Sequence, residues 1–175
     1  MTQIQAPELT LSALSAMGQD EFTERLSGIF EHSPWIARGA WQARPFTSVE
    51  ALHGAMLGVL NQADEAAQLA LILAHPELAG KEAANGTLTD ASTNEQRGAG
   101  LDQCSADELA RLRGLNARYH ERFGFPFVIA VKGLTRYQIM DSIDARLHND
   151  HDTERATCLA EIAKIARFRL DALFA

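Results

Sequence analysis

Residues 64–81 read DEAAQLALILAHPELAGK, and this stretch decides how the rest of the chain is taken. Asp64 is a helix-capping residue type standing before an apolar run. Leu69, Leu71, Ile72 and Leu73 make the predicted helix apolar around most of its girth, the pattern of a helix packed centrally among others. The run stops at His75-Pro76, because proline lacks the amide proton and the space to continue a helix.

Working upstream, Ser48 caps a helix over Val49 to Asn61 whose apolar face is Leu52, Met56, Val59 and Leu60. Pro34 opens a helix over Trp35 to Gln42, since proline is tolerated in a first helical turn. Asp20 to Glu31 places Phe22, Leu26, Ile29 and Phe30 on one helical face, and Thr10 to Met17 forms a short first turn. Downstream, Gly80 and Gly86 mark an irregular loop through Ala91, and a helix restarts from Ser92 to Gly100. Ser105 and Glu108 form a capping box that opens a helix with Leu109, Leu112, Asn116, Tyr119 and Phe123 on its stripe, closed by Gly124. Phe125 to Val131 favours an extended backbone. No second strand is available to pair with it, so it is expected as extended chain or a helical turn buried between helices. Thr135 to Leu147 and Asp152 to Phe174 close the chain as helices. The expectation is an all-α fold: a compact single domain over residues 1–175, a helical bundle of about eight to nine helices.

Composition narrows the function. A chain of 175 residues, 46% apolar and 22% charged, is long enough for one domain with a real core. Twenty-three acidic against 16 basic side chains leave a formal charge of −7. That argues against a nucleic-acid partner, which needs a basic face, and against anionic membrane surfaces. No apolar stretch reaches the roughly 18 residues of a membrane span. Met1 to Met17 holds no Lys or Arg and has Glu8 in its middle, so it lacks the basic start of a secretory signal. Cys104 and Cys158 are too few for a disulfide framework and read as reduced thiols, small and buried, in a cytoplasmic protein.

Several polar groups suit chemistry, each with a structural reading beside it. His75 leaves an apolar helix at the end that carries partial negative charge, which favours an imidazolium and hence a general acid. Taken alone, it reads rather as a C-cap bonded to the last carbonyls. Ser92-Thr93-Asn94-Glu95 has capping-box spacing. The same helix start also presents amide groups to a ligand carboxylate or carbonyl, with Glu95 and Gln96 placed to hold amide or ureide N–H groups. Phe125-Pro126-Phe127-Val128-Ile129 is either core or a pocket wall whose unpaired backbone binds a polar ring. Arg169 lies beside the apolar stripe of the last helix, able to grip a carboxylate bidentately or to cover apolar surface. His148-Asn149-Asp150-His151 lacks helical ligand spacing and reads as a solvated turn, not a metal site. His32, His53 and His120 carry no partner signal. No phosphate loop, HExxH, paired CxxC or GxSxG occurs, which leaves a cofactor-free acid/base site.

The order HPELAGK, STNEQ followed by Gly98-Ala99-Gly100-Leu101, then FGFPFVIAVKG and the terminal IAKIARFRL resembles one family over roughly residues 10–174. It is the 2-oxo-4-hydroxy-4-carboxy-5-ureidoimidazoline (OHCU) decarboxylase family of uric-acid breakdown. The resemblance implies an all-helical, cofactor-free and commonly dimeric enzyme that converts OHCU to S-allantoin and CO₂. It implies His75 as catalytic histidine with Glu95 beside it. Ser92 and Gln96 are then polar substrate contacts, with Pro76, Thr93 and Asn94 among them. Phe127, Val128, Ile129, Ala130 and Val131 form a backbone-binding segment, and Arg169 is a C-terminal contact. Eukaryotic members often end in a peroxisomal tripeptide. This chain ends Leu173-Phe174-Ala175, so the expectation is a cytoplasmic enzyme. OHCU is unstable, so transient association with enzymes earlier in the pathway is conceivable. Two other functions fit the same residues. One is a cofactor-free hydrolase or isomerase of a related ureide or hydantoin, which product analysis would separate. The other is a helical binding module in which His75 and Glu95 are only caps, contributing about 1 kcal/mol each to stability.

Overall fold

The structure, a computed structural model, describes residues 8–175. The first seven residues, and with them part of the stretch read as lacking a secretory signal, lie outside the described residues. Contacts divide the chain into two units, one running to Ala63 and resuming at Ala166–Ala175, the other Asp64–Ile165.

In the first unit, α1 (Leu11–Ala16) starts where Thr10 Oγ1 accepts the Ala13 amide at 3.0 Å. Helix α2 (Gln19–Arg25) is shorter than the pattern predicts. After Arg25 the chain runs through tight turns, with Ser27 bonding Glu24 and Ile29 bonding Leu26, instead of continuing to Glu31. Gly28, a poor helix former, sits in that stretch. Phe22, Leu26, Ile29 and Phe30 are nevertheless all buried, so the apolar spacing is satisfied by turns as well as by a helix. Helix α3 (Pro34–Ala40) begins on its proline and passes into a 3₁₀ turn, Trp41–Ala43. Helix α4 (Val49–Gln62) is capped by Ser48 as expected, Oγ accepting the Ala51 amide at 3.0 Å. Gly39 lets α3 lie directly on α4, since a Cβ there would stand 2.9 Å from Val59 Cγ1.

In the second unit, α5 (Glu65–Ala74) is capped by Asp64 and ends at His75. Its burial is one-sided. Leu71 and Ile72 are fully buried, but Leu69 and Leu73 are 36% and 49% exposed, so the helix is not enclosed on all sides. The loop expected through Ala91 contains α6 (Lys81–Asn85) and the start of α7 (Asp90–Gly98). After a 3₁₀ turn, Leu101–Gln103, comes α8 (Ala106–Phe123), which has both arms of the expected capping box and closes on Gly124 in the left-handed conformation. Phe125 to Val131 is non-helical and forms no strand, with Phe125, Phe127, Val128 and Val131 buried. Helix α9 (Arg136–Arg146) opens on a second capping box, Thr135 with Gln138. Helix α10 (His151–Leu173) begins where Asp150 accepts the Thr153 amide at 2.7 Å.

The fold is all-α, with ten α-helices among the described residues, one more than the sequence pattern resolves, the short α6. None of these helices is long and apolar enough to cross a membrane. Both cysteines are free thiols, and Cys158 is buried.

Candidate functional site

His75 owes its position to the residue after it. A residue before proline avoids helical geometry, and His75 turns to an extended φ of −76° and ψ of 135°. Its amide still closes the helix onto the Ile72 carbonyl at 3.1 Å. Its ring folds back so that Nδ1 lies 2.9 Å from the Leu71 carbonyl oxygen. A carbonyl can only accept, so Nδ1 carries the proton in this contact. His75 is 8% exposed. The C-cap reading therefore holds: the side chain bonds a carbonyl of the last helical turn through Nδ1.

The turn after His75 is held by two buried side-chain amides. Ala79 has a φ of 49°, unusual for a residue with a Cβ. Its amide donates to Gln96 Oε1 of α7 at 2.9 Å, and Asn116 Nδ2 of α8 donates to the Leu78 carbonyl at 3.0 Å. Gly80 packs so closely that a Cβ would sit 2.8 Å from Glu77 Cβ. Pro76 is half-buried at the start of this turn.

Helix α7 does not begin at Ser92. Thr89 is the N-cap, its Oγ1 accepting the Ser92 amide at 3.2 Å while its carbonyl accepts the Thr93 amide at 2.9 Å. Ser92 is therefore inside the first turn, and Ser92 and Glu95 are not a capping box. The predicted open amides at Ser92 and Thr93 are used by Thr89. What remains is a side-chain face: Ser92 and Gln96 are buried and Glu95 is half-buried beside them, as i, i+3 and i+4 spacing requires. Thr93 Oγ1 bonds back to the Thr89 carbonyl at 3.0 Å, and Asn94 is exposed.

Helix α8 connects this turn to the extended segment. Asn116 holds Leu78, and Tyr119, one turn further along the same face, meets the Phe127 ring edge-on at 5.2 Å. Tyr119, Phe123, Phe125 and Phe127 pack as an aromatic cluster. Beside it lies a buried polar network. Glu154, fully buried, accepts from Tyr119 OH at 2.6 Å, Arg146 Nε at 2.7 Å and Asn149 Nδ2 at 2.9 Å. Burial, with the bonds to Cys158 and Glu154, pushes the Tyr119 phenol far up. Burial also raises the Cys158 thiol, against the pull of Tyr119 and Arg146, so it is no nucleophile. For Arg146, burial acts to lower its pKa, but the bond to Glu154 and neighbouring groups prevail and it is raised.

Arg146 Nη1 donates to the Val128 carbonyl at 2.8 Å, and the Val128 amide bonds the Cys158 sulfur. The expectation of an open backbone from Phe127 to Val131 is thus corrected in part. Val128 has both main-chain groups committed, and the Val131 carbonyl accepts the Leu134 amide at 3.0 Å. Ile129 and Ala130, half-buried between them, make no backbone hydrogen bond among the described residues.

Arg169 belongs to the other unit. Its guanidinium grips a carboxylate, as its chemistry predicts, but that of Glu31: Nη2 to Oε1 is 3.0 Å, and Nη1 reaches the Gly28 carbonyl at 3.1 Å. Arg146 and Glu154 were not singled out from the sequence, Asn116 was read only as part of a helical stripe, and Asn149 only as part of a solvated turn. For Asn116 a signal existed, an amide on an otherwise apolar stripe. For the Arg146 network there was none, and Cys158 read only as a small apolar filler.

A profile of the family described as OHCU decarboxylase matches residues 15–171. The 2-oxo-4-hydroxy-4-carboxy-5-ureidoimidazoline decarboxylase of Haloferax volcanii is 40% identical over 163 residues, covering 93% of this chain and 95% of that protein. The uric acid degradation bifunctional protein PucL of Bacillus subtilis is 43% identical over 161 residues, 92% of this chain. The chain spans 32% of the length of that protein and of its Bacillus sp. counterpart. Among solved structures, an (S)-allantoin synthase superimposes with a TM-score of 0.74 at 27% identity, over 94% of this chain and 54% of that one. An OHCU decarboxylase determined in the presence of (S)-allantoin shares the fold, with a TM-score of 0.69 at 23% identity over 90% and 99% of the two chains.

Proposed function

The chain belongs to the OHCU decarboxylase family, and from that we propose that it decarboxylates OHCU to S-allantoin in urate breakdown, with His75 as the proton donor. The observation that carries the assignment of His75 is the 2.9 Å contact of its Nδ1 with the Leu71 carbonyl. That bond sets the ring of a buried imidazole, and with Nδ1 committed to the Leu71 carbonyl the proposed donation falls to Nε2.

The chemistry is as follows. The bond between the ring carbon and the carboxylate breaks, and CO₂ departs. The electron pair forms a C=C bond to the carbon bearing the ureido group, and the C=N pair moves onto the ring nitrogen, which takes up a proton from solvent, giving an enol. A proton then goes to the carbon bearing the ureido group, and the enol hydroxyl loses its proton to become the ring carbonyl. The ring imine itself accepts the electron pair, so the reaction requires no separate electron sink. The protein's task is to hold the breaking bond out of the ring plane and to protonate one face only. His75 Nε2 delivers that proton and, charged, steers the carboxylate. Glu95 holds the ureido N–H groups, with Ser92 beside it, and the backbone of Ile129 and Ala130 holds the ring. Gln96 acts through the turn it clamps. The family resemblance also offers Arg169 as a substrate contact, and any carboxylate bound there would have to compete with Glu31.

A homodimer is part of the same proposal. The exposed Leu69 and Leu73, one turn apart on α5, supply an apolar strip for a second copy.

Circular dichroism of allantoin formed from freshly generated OHCU, with and without the protein, tests the function. Rapid appearance of optically active S-allantoin is expected. Racemic product at the uncatalysed rate would remove the activity and leave the binding module.

A further inference from the structure

The segment around Val128 has an extended backbone without a sheet to hold it. Main-chain groups in a buried stretch require partners, and here they come from side chains. Arg146 donates to the Val128 carbonyl at 2.8 Å and Cys158 accepts the Val128 amide, so the two peptide units on either side of the Val128 Cα are each held, the second of them shared with the Ile129 amide. The same guanidinium reaches Glu154 at 2.7 Å and the Cys158 sulfur at 3.5 Å, and lies 4.2 Å above the Phe127 ring. Three acceptors are thus fixed relative to one another by a single planar fork, which a lysine could not reproduce.

Stability alone does not account for this arrangement. A buried ion pair can often be replaced by apolar side chains of the same volume at no loss, because desolvating both charges offsets their attraction. What the pair supplies is direction. Glu154 has three donors and no exposure, so Arg146 cannot swing away without stranding a charge. Downstream of the fixed Val128 peptide lie Ile129 and Ala130, and the Val131 carbonyl is tied again by the Leu134 amide.

We propose that Arg146, locked by Glu154, is a positioning residue for the substrate site: with Cys158 it fixes the Val128 peptide and so aims the backbone groups of Ile129 and Ala130 at the ligand. The proposal rests on the reading of that segment as substrate-binding.

The test uses the full chain, its Arg146→Lys and Cys158→Ala variants, and (S)-allantoin as probe. Amide NMR of Val128 to Val131 is recorded before and during titration, and kcat and KM are measured with OHCU. In the unmodified protein the Ile129 and Ala130 amides are expected to shift on adding (S)-allantoin. In Arg146→Lys the same amides should already be displaced without the probe. KM should rise about tenfold with kcat nearly unchanged, the signature of lost binding rather than lost chemistry. If Arg146→Lys does not fold, Cys158→Ala carries the test, with a smaller displacement of the same amides. Unmoved amides in the folded variant overturn the positioning role while leaving the substrate-binding reading intact. An unresponsive Ile129 and Ala130 in the unmodified protein overturn that reading, and the proposal with it. A fall in kcat at constant KM would also overturn it, because it would place Arg146 in the chemistry.

Discussion

His75 Nδ1 lies 2.9 Å from the carbonyl oxygen of Leu71, one turn back on α5. A carbonyl only accepts, so this contact places a proton on Nδ1 and caps the helix; the proposed proton donation then falls to Nε2.

Replacing His75 by alanine should lower kcat by about 10²- to 10⁴-fold, the usual range for a general acid, with (S)-allantoin affinity changed only a few-fold. Nitrogen NMR of the imidazole should find Nδ1 protonated at every pH where the protein is folded. An unchanged kcat in the alanine variant would end the assignment.

The clamp on the following turn makes two stability predictions. Gln96→Leu strands the buried Ala79 amide and should cost about 1–3 kcal/mol in urea unfolding. Gly80→Ala forces a Cβ to within 2.8 Å of Glu77 Cβ and should cost about 1–3 kcal/mol by overpacking. Both should also reduce kcat, because the turn begins at His75. Wild-type stability in both would show that the turn is not held this way.

Arg169 and Glu31 are 7% and 2% exposed, so removing either strands a buried charge. Arg169→Met alone should cost about 3–5 kcal/mol, and adding Glu31→Leu should recover part of it. A double-mutant cycle by chemical denaturation measures the coupling. Additive losses would contradict a direct pair.

Glu108 supplies a pH dependence. The Ser105 amide and then Arg136 hold its carboxyl down to about 2 from the usual 4.5. The folded state therefore binds this proton less readily than the unfolded chain does. Its stabilisation is complete above about pH 4.5 and is lost as the pH falls toward 2. The melting-temperature difference between the unmodified protein and Glu108→Gln should be largest near neutrality and shrink through that window. A constant difference from pH 6 down to about pH 2.5 would disprove the linkage.

Much of the fold was legible because its signals are local. Asp64, Ser48, Thr10 and Ser105 each cap a helix through an amide three residues on, and Pro76 and Gly124 stop helices by their own geometry. Those interactions are encoded by neighbours. Where two local signals competed, sequence was not enough: Thr89 and Ser92 can both cap, and the structure starts α7 from Thr89. The run from Phe22 to Phe30 looked helical because its apolar spacing is right, yet the helix ends at Arg25 and turns bury Leu26, Ile29 and Phe30 beside Phe22.

By itself, then, the sequence determined an all-α chain, most helix starts and stops, the histidine at a helix end and the family. The tertiary structure decided what lies far apart along the chain. Asn116 meets Leu78 across 38 residues, Arg146 meets Val128 across 18, and Arg169 meets Glu31 across 138. A helical period states which face a side chain occupies. It does not state which backbone group the packed core will bring to that face, because that depends on how all the elements fill space together.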